Sequence, residues 1–131
     1  MDIANIKKLV EDEKQWLIDV RRDFHSHPEL GQQEFRTMNK ICEYLDEMGI
    51  SYKKEVFKTG VIAEIEGKNK DYTIALRADI DALPIEDRKT CDYSSKNQGV
   101  CHALLVVHQY QLLELLYSLY SLPLSQQLLQ F

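Results

Sequence analysis

Ile6, Leu9, Val10, Leu17, Val20 and Phe24 recur at helical spacing, which puts them on one stripe of a helix. The pattern predicts a first helix from about Ile3 to His25, with Asp2 available as its cap. Pro28 has no amide hydrogen and disfavours helical geometry at His27, so the helix must end there. A second stripe, Phe35, Met38, Ile41, Cys42, Leu45 and Met48, closes at Gly49, a residue able to take the left-handed conformation that ends a helix. That predicts a second helix over Glu34 to Met48.

From Ile50 the pattern shortens into runs separated by turn residues. Ile50 to Val56, Val61 to Glu66 and Tyr72 to Ala78 are the predicted strands. The polar stretch Gly67-Lys68-Asn69-Lys70-Asp71 reads as a hairpin loop between the last two. Thr73-Ile74-Ala75-Leu76 lacks polar alternation, as expected of a central strand buried on both faces. Two helices followed by a mixed sheet indicate an α/β fold, the N-terminal part of a two-layer or three-layer domain.

Composition divides the chain. All 16 basic residues, and every acidic residue except Glu114, lie in residues 1–100, whereas residues 101–131 are rich in Leu, Gln, Ser and Tyr. Residues 1–103 therefore read as one part, a single small domain at most, and 104–131 as a divergent tail. Leu112, Leu113, Leu116, Tyr117 and Tyr120 fall at helical spacing, so the tail is expected to be helical. With a net charge of −5 and no dense Lys/Arg cluster, nucleic acid is excluded as a partner. Cys42, Cys91 and Cys101 are widely spaced and odd in number, which points to a reducing, cytoplasmic setting rather than a disulfide framework. Charges from Asp2 to Lys14 leave no apolar core for a secretory signal, and polar residues with Pro123 interrupt Leu104 to Leu124 too often for a membrane span.

The candidate chemistry begins where the third strand runs out. In Arg77-Ala78-Asp79-Ile80-Asp81-Ala82-Leu83-Pro84 two carboxylates stand two residues apart and, at strand spacing, point the same way. Acids beyond the carboxyl end of a strand commonly hold metals or orient metal-ligating histidines. The alternative is an acidic turn paired with Arg77 or Arg88.

Three blocks in order carry a resemblance: Arg22-Asp23-Phe24-His25-Ser26-His27-Pro28-Glu29-Leu30-Gly31 with Glu34, then Arg77 to Pro84, then Gly99-Val100-Cys101-His102-Ala103. Together they resemble the metallopeptidase-type amidohydrolases, among them hippurate hydrolase, N-acyl-amino-acid amidohydrolases and auxin-conjugate hydrolases. The resemblance implies an α/β catalytic domain interrupted by a smaller domain. It also implies hydrolysis of an N-acyl amino acid or similar small amide at a site holding two divalent cations (Zn, Mn, Co or Ni). By it Asp81 is the catalytic-site acid that supports the metal centre, His102 belongs to the metal-binding block, and Asp79 stands where more distant relatives place a metal-binding histidine. Two cations about 3.5–4 Å apart can acidify a shared water and polarise the amide carbonyl.

The resemblance breaks after His102. The family continues H-A-C-G-H-D, its cysteine and second histidine being ligands, whereas this chain reads His102-Ala103-Leu104-Leu105-Val106-Val107. Leu104 and Val106 have no lone pair to donate. The change, with the shift in composition, reads as a frameshift or truncation near position 104, the alternative being a genuine divergent sequence with a helical tail, and the chain is expected to bind no metal pair and to be inactive alone. His108 and Cys101 beside His102 read as packed or exposed residues rather than replacement ligands, and His25 and His27 as a structural turn. The competing reading is a non-catalytic module that self-associates through the apolar tail.

Overall fold

The computed structural model describes residues 3–66, 71, 73–103 and 127–130. Helix α1 spans Ile3–Ser26 and α2 spans Phe35–Glu47. Strands β1 (Ser51–Val56), β2 (Gly60–Ile65), β3 (Ile74–Arg77) and β4 (Gln127–Gln130) form one mixed sheet. The Asp2 cap lies outside the described residues.

The helical stripes become the core. Leu17, Val20 and Phe24 of α1 meet Met38, Ile41, Cys42 and Leu45 of α2, and both sets pack on Ile50, Val61, Ala63 and Ile80. Val61 and Ala63 are fully buried while Glu64 between them and Ile65 is exposed, so β2 turns its alternate residues toward the helices. Trp16 and Phe24 set their rings edge-on against Tyr44, with centroids 5.4 and 6.5 Å away, joining α1 to α2. Phe35 departs from its stripe and is 47% exposed. It opens α2, and a helical side chain leans toward the N-terminus, so Phe35 points past the core and lies under the Lys58 ammonium, 5.6 Å from its ring centre.

The ends of α2 are set by two devices. At its C-terminus Gly49 takes φ +68°, its amide donates to Asp46 O (3.0 Å), and the Ile50 amide donates to Leu45 O (2.9 Å). This is a Schellman closure, with Ile50 packed beside Leu45. At the N-terminus Glu34 makes no side-chain cap, and the Glu29 carboxylate instead accepts from the amides of Arg36 (3.0 Å) and Thr37 (2.7 Å). A carboxylate there satisfies two orphan donors and faces the positive end of the helix dipole. Glu29→Ala is expected to lower stability by about 1–2 kcal/mol, read as a shift in urea midpoint at unchanged slope. Loss of less than about 0.3 kcal/mol would mean that water caps this helix equally well.

The sheet departs from expectation in its order, β1-β2-β4-β3. β1 and β2 form an antiparallel hairpin with a bulge between Lys53 and Val56, and Glu55, Phe57 and Lys58 take positive φ in and beside its turn. β2 and β3 were expected to pair as a hairpin, but β4 lies between them, antiparallel to β2 and parallel to β3. Residues 67–70 of the expected loop lie outside the described residues. One inserted strand widens the β2–β3 gap to about two spacings of 4.8 Å, which a polar connection can span and a tight turn cannot. Consequently β3 is an edge strand among the described residues rather than a central one, and Ala75 and Arg77 are exposed. Residues 112–120, on which the helical reading of the tail rests, lie outside the described residues, and the part of the tail that is described, Gln127–Gln130, is a strand. Its backbone fills the open ladder between β2 and β3, a demand that side-chain periodicity does not report.

Candidate active-site region

Backbone hydrogen bonds draw the three sequence blocks together. Past β3 the Ala82 amide donates to Glu29 O (2.7 Å), and Leu30 bridges Ala82 in parallel. Leu83 and Cys101 exchange both amide-to-carbonyl bonds at 3.0 Å. The Lys96 amide donates to Ser26 O (2.9 Å), and Asn97 Nδ2 donates to Pro28 O (2.7 Å). Segments 18 to 70 residues apart thus form one seam beside the C-terminal end of α1.

The seam has two concave sides. On one, Asp79, Asp81, Glu34, Thr59 and the exposed Phe57 line a cleft of about 360 Å³. Asp79 and Asp81 face the same cleft as expected, although the strand before them is an edge. Asp79 pairs with Arg77 at 2.7 Å, with both side chains substantially exposed. The acidic-turn alternative thus describes Asp79, and such an exposed pair is worth at most about 1 kcal/mol. Glu34, 5% exposed, accepts from Thr59 Oγ1 (2.6 Å). A Cβ on Gly31 would lie 3.8 Å from Asp81 Oδ2 and 4.0 Å from Glu34 Oε1, so these carboxylates flank one turn. Sequence reasoning placed Glu34 in a block without giving it a role; its burial appears only once the Thr59 turn folds over it.

On the other side His102, Cys101, Asp87, Lys89 and Glu86 line a cleft of about 530 Å³. His102 is 3% exposed and, among the described residues, neither ring nitrogen has a hydrogen-bond partner. Burial pushes its pKa below the ordinary histidine value and the nearby His25 lowers it further, while Asp81 and Glu29 pull the other way. His25, 1% exposed, meets Asp87 Oδ2 through Nε2 at 3.0 Å. Asp87 also accepts from the amides of Ser95 (2.9 Å) and Lys89 (3.1 Å), and chiefly these bonds hold its carboxyl below the usual carboxylate range.

A buried histidine with no partner among the described residues is a stability defect. In metal-free protein His102→Leu is expected to stabilise the fold by about 1 kcal/mol at pH 7, because an apolar group of similar size carries no unsatisfied polar atom. Because the folded pKa lies below the unfolded one, the unfolded chain takes up a proton that the native chain refuses. Wild-type stability from this group is thus intact above about pH 6.5 and is lost as the pH falls through and below it, so the gap to the Leu variant should widen on acidification. Urea titrations of both proteins at pH 7.5 and 5.5 measure this, and a constant gap would show that His102 finds a partner in solution.

No family model matches the chain. It is 50% identical over 91 residues to N-acetyl-L-cysteine deacetylase of Bacillus subtilis, covering 70% of this chain and 22% of that protein. It is 37% identical over 102 residues to thermostable carboxypeptidase 2 of Saccharolobus solfataricus, covering 77% and 26% respectively. The crystal structure of the Bacillus subtilis YXEP protein, a dinuclear metal-binding peptidase of the M20 family, superposes with a TM-score of 0.79 at 37% identity, over 92% of this chain and 35% of that one. Fold and sequence alike define an amidohydrolase-type α/β layer, two helices on a sheet. Over most of its length the chain is similar to metallopeptidase-type amidohydrolases, a structure of the M20 family among them, and it spans about a quarter of the length of the curated relatives it matches.

The described residues do not make up a two-metal site. Asp79 is engaged by Arg77, and Leu104 and Val106 offer no donor atom. Among the described residues no helix is long and apolar enough to cross a membrane.

Proposed function

We propose that this chain represents the opening part of a metal-dependent hydrolase of N-acyl amino acids or similar small amides, with Asp81 as the catalytic-site acid and His102 and Asp79 in the metal-binding region, and that with Leu104 and Val106 in place it is inactive by itself. The observation that supports the reading is the hydrogen-bonded seam, which joins the Arg77–Pro84 block to the Pro28–Gly31 turn and to Cys101, with the Asp81 charge acting on the His102 imidazole. A carboxylate in that position can orient a metal-ligating imidazole. The relatives named above supply the substrate class, an N-acetyl amino acid or a peptide. Asp79 is the weaker member of the set, being committed to Arg77. Three unpaired cysteines support a reducing compartment, in keeping with a cytoplasmic enzyme.

The test restores what is missing. A chimera carrying Leu104→Cys and Val106→His, extended by the region of a relative that lies beyond the match, should gain Mn²⁺- or Zn²⁺-dependent hydrolysis of N-acetyl amino acids. That activity should vanish on Asp81→Ala. A folded, metal-loaded chimera that stays inactive, or one indifferent to Asp81→Ala, would sink the assignment.

A further inference from the structure

His25, Asp87 and Cys101 each offer a ligand atom, and the three atoms lie within 4.8 Å of one another. We propose that they form a mononuclear site for a thiophilic divalent cation, Zn²⁺ by its donor set, on the wall of the His102 cleft and separate from the Asp81 cleft. None of the three belongs to the interrupted ligand run after His102, so the proposal stands or falls independently of the function assigned above.

Several features support it. A tetrahedral ion with bonds of about 2.0–2.3 Å sets its ligand atoms roughly 3.5 Å apart, so the present arrangement needs only small side-chain movements to close. The three come from separate elements that are individually fixed: His25 from the last turn of α1, Cys101 from the two-bond bridge to Leu83, and Asp87 from a loop whose carboxylate is held by two backbone amides. Ligating carboxylates are oriented by such outer hydrogen bonds. Neutral imidazole, carboxylate and thiolate carry two negative charges, so a divalent ion leaves a neutral cluster, which suits side chains only 1%, 5% and 6% exposed.

The pattern around His25 adds a second observation. Lys89 Nζ stands 3.3 Å from the same Nε2 that lies 3.0 Å from Asp87 Oδ2. Nε2 can donate to Asp87 or accept from Lys89, but not both, and an ammonium directed at Nε2 beside the Asp87 carboxylate stands where a cation would. Lys89 is exposed and can swing out through the cleft, which also gives the ion its path in and an open fourth position. His102, deeply buried with both ring nitrogens unpaired among the described residues, lines that same cleft. Binding is a ligand exchange without redox change: the Cys101 thiol proton passes to solvent as the sulfur–metal bond forms, and the ion sheds water.

Co²⁺ serves as the probe, because thiolate ligation gives it a near-ultraviolet charge-transfer band and tetrahedral geometry an intense visible one. The full chain, stripped by chelator and kept reduced, should take up one equivalent with both bands, and Zn²⁺ should bleach them. Cys101→Ser and Cys101→Ala should each lose the charge-transfer band, Asp87→Asn should weaken binding by roughly tenfold or more, and Cys42→Ser and Cys91→Ser should leave the spectrum unchanged. Circular dichroism reports whether each variant folds. Absence of a charge-transfer band in folded wild-type protein at micromolar Co²⁺, or its persistence in either Cys101 variant, would overturn the site; so would loss of the band in Cys91→Ser alone.

Discussion

Assayed alone with added Mn²⁺ or Zn²⁺, the 131-residue chain is expected to hydrolyse N-acetyl amino acids no faster than buffer. Hydrolysis by a cation pair requires two ions held at fixed separation so that one water is acidified and the carbonyl polarised together. Here the positions that would supply a thiolate and an imidazole hold Leu104 and Val106, and no rearrangement gives a hydrocarbon side chain a lone pair. His102 and the acids around Asp81 cannot make up the deficit, since Asp79 already answers Arg77. A well-placed proton shuttle such as Glu34 would contribute only about 10²–10⁴-fold, small against the ≥10⁶-fold that separates enzymes from the uncatalysed reaction. An ion held by His25, Asp87 and Cys101 would not change the result, for it would sit on the other side of the seam from Asp81. Turnover that requires metal and disappears on Asp81→Ala would reverse this expectation and show that other side chains complete the centre.

The largest effect on stability is expected at Leu45. It is 2% exposed, lies on the inner stripe of α2, and packs beside Ile50 where the chain leaves the helix. Leu45→Ala removes buried methyl groups and leaves a cavity between helix and sheet, at a cost of about 2–5 kcal/mol. Because a domain of this size commonly holds only about 5–15 kcal/mol in all, the variant should populate the unfolded state at modest urea. Leu45→Met, which keeps volume and hydrophobicity, should cost less than about 1.5 kcal/mol. Chemical denaturation of the three proteins makes the comparison. A Leu45→Ala loss under about 1 kcal/mol would mean that the α2–sheet interface repacks freely and that the core described here is not a single well-packed unit.

The sequence by itself determined the elements whose causes are local. The 3.6-residue stripes, the ring of Pro28 and the positive φ available to Gly49 set both helices to within about two residues, because each acts within a turn or two of chain. The position of β3, the order of the three blocks and their family resemblance were equally legible. Strand order was not, since β pairing is settled by backbone groups distant in sequence: Gln127–Gln130 enters between β2 and β3 and makes an apolar run an edge. Function at Asp79 was likewise indistinguishable in sequence from a salt-bridged turn until Arg77 was seen against it. His25 read as a structural turn residue, because its partner Asp87 lies 62 positions away and Cys101 farther still. Only the tertiary structure decided that helix end, loop and bridge bring their ligand atoms within 4.8 Å of one another. The physical reason is that a cluster's chemistry depends on distance in space, whereas side-chain periodicity along the chain records only which face is buried.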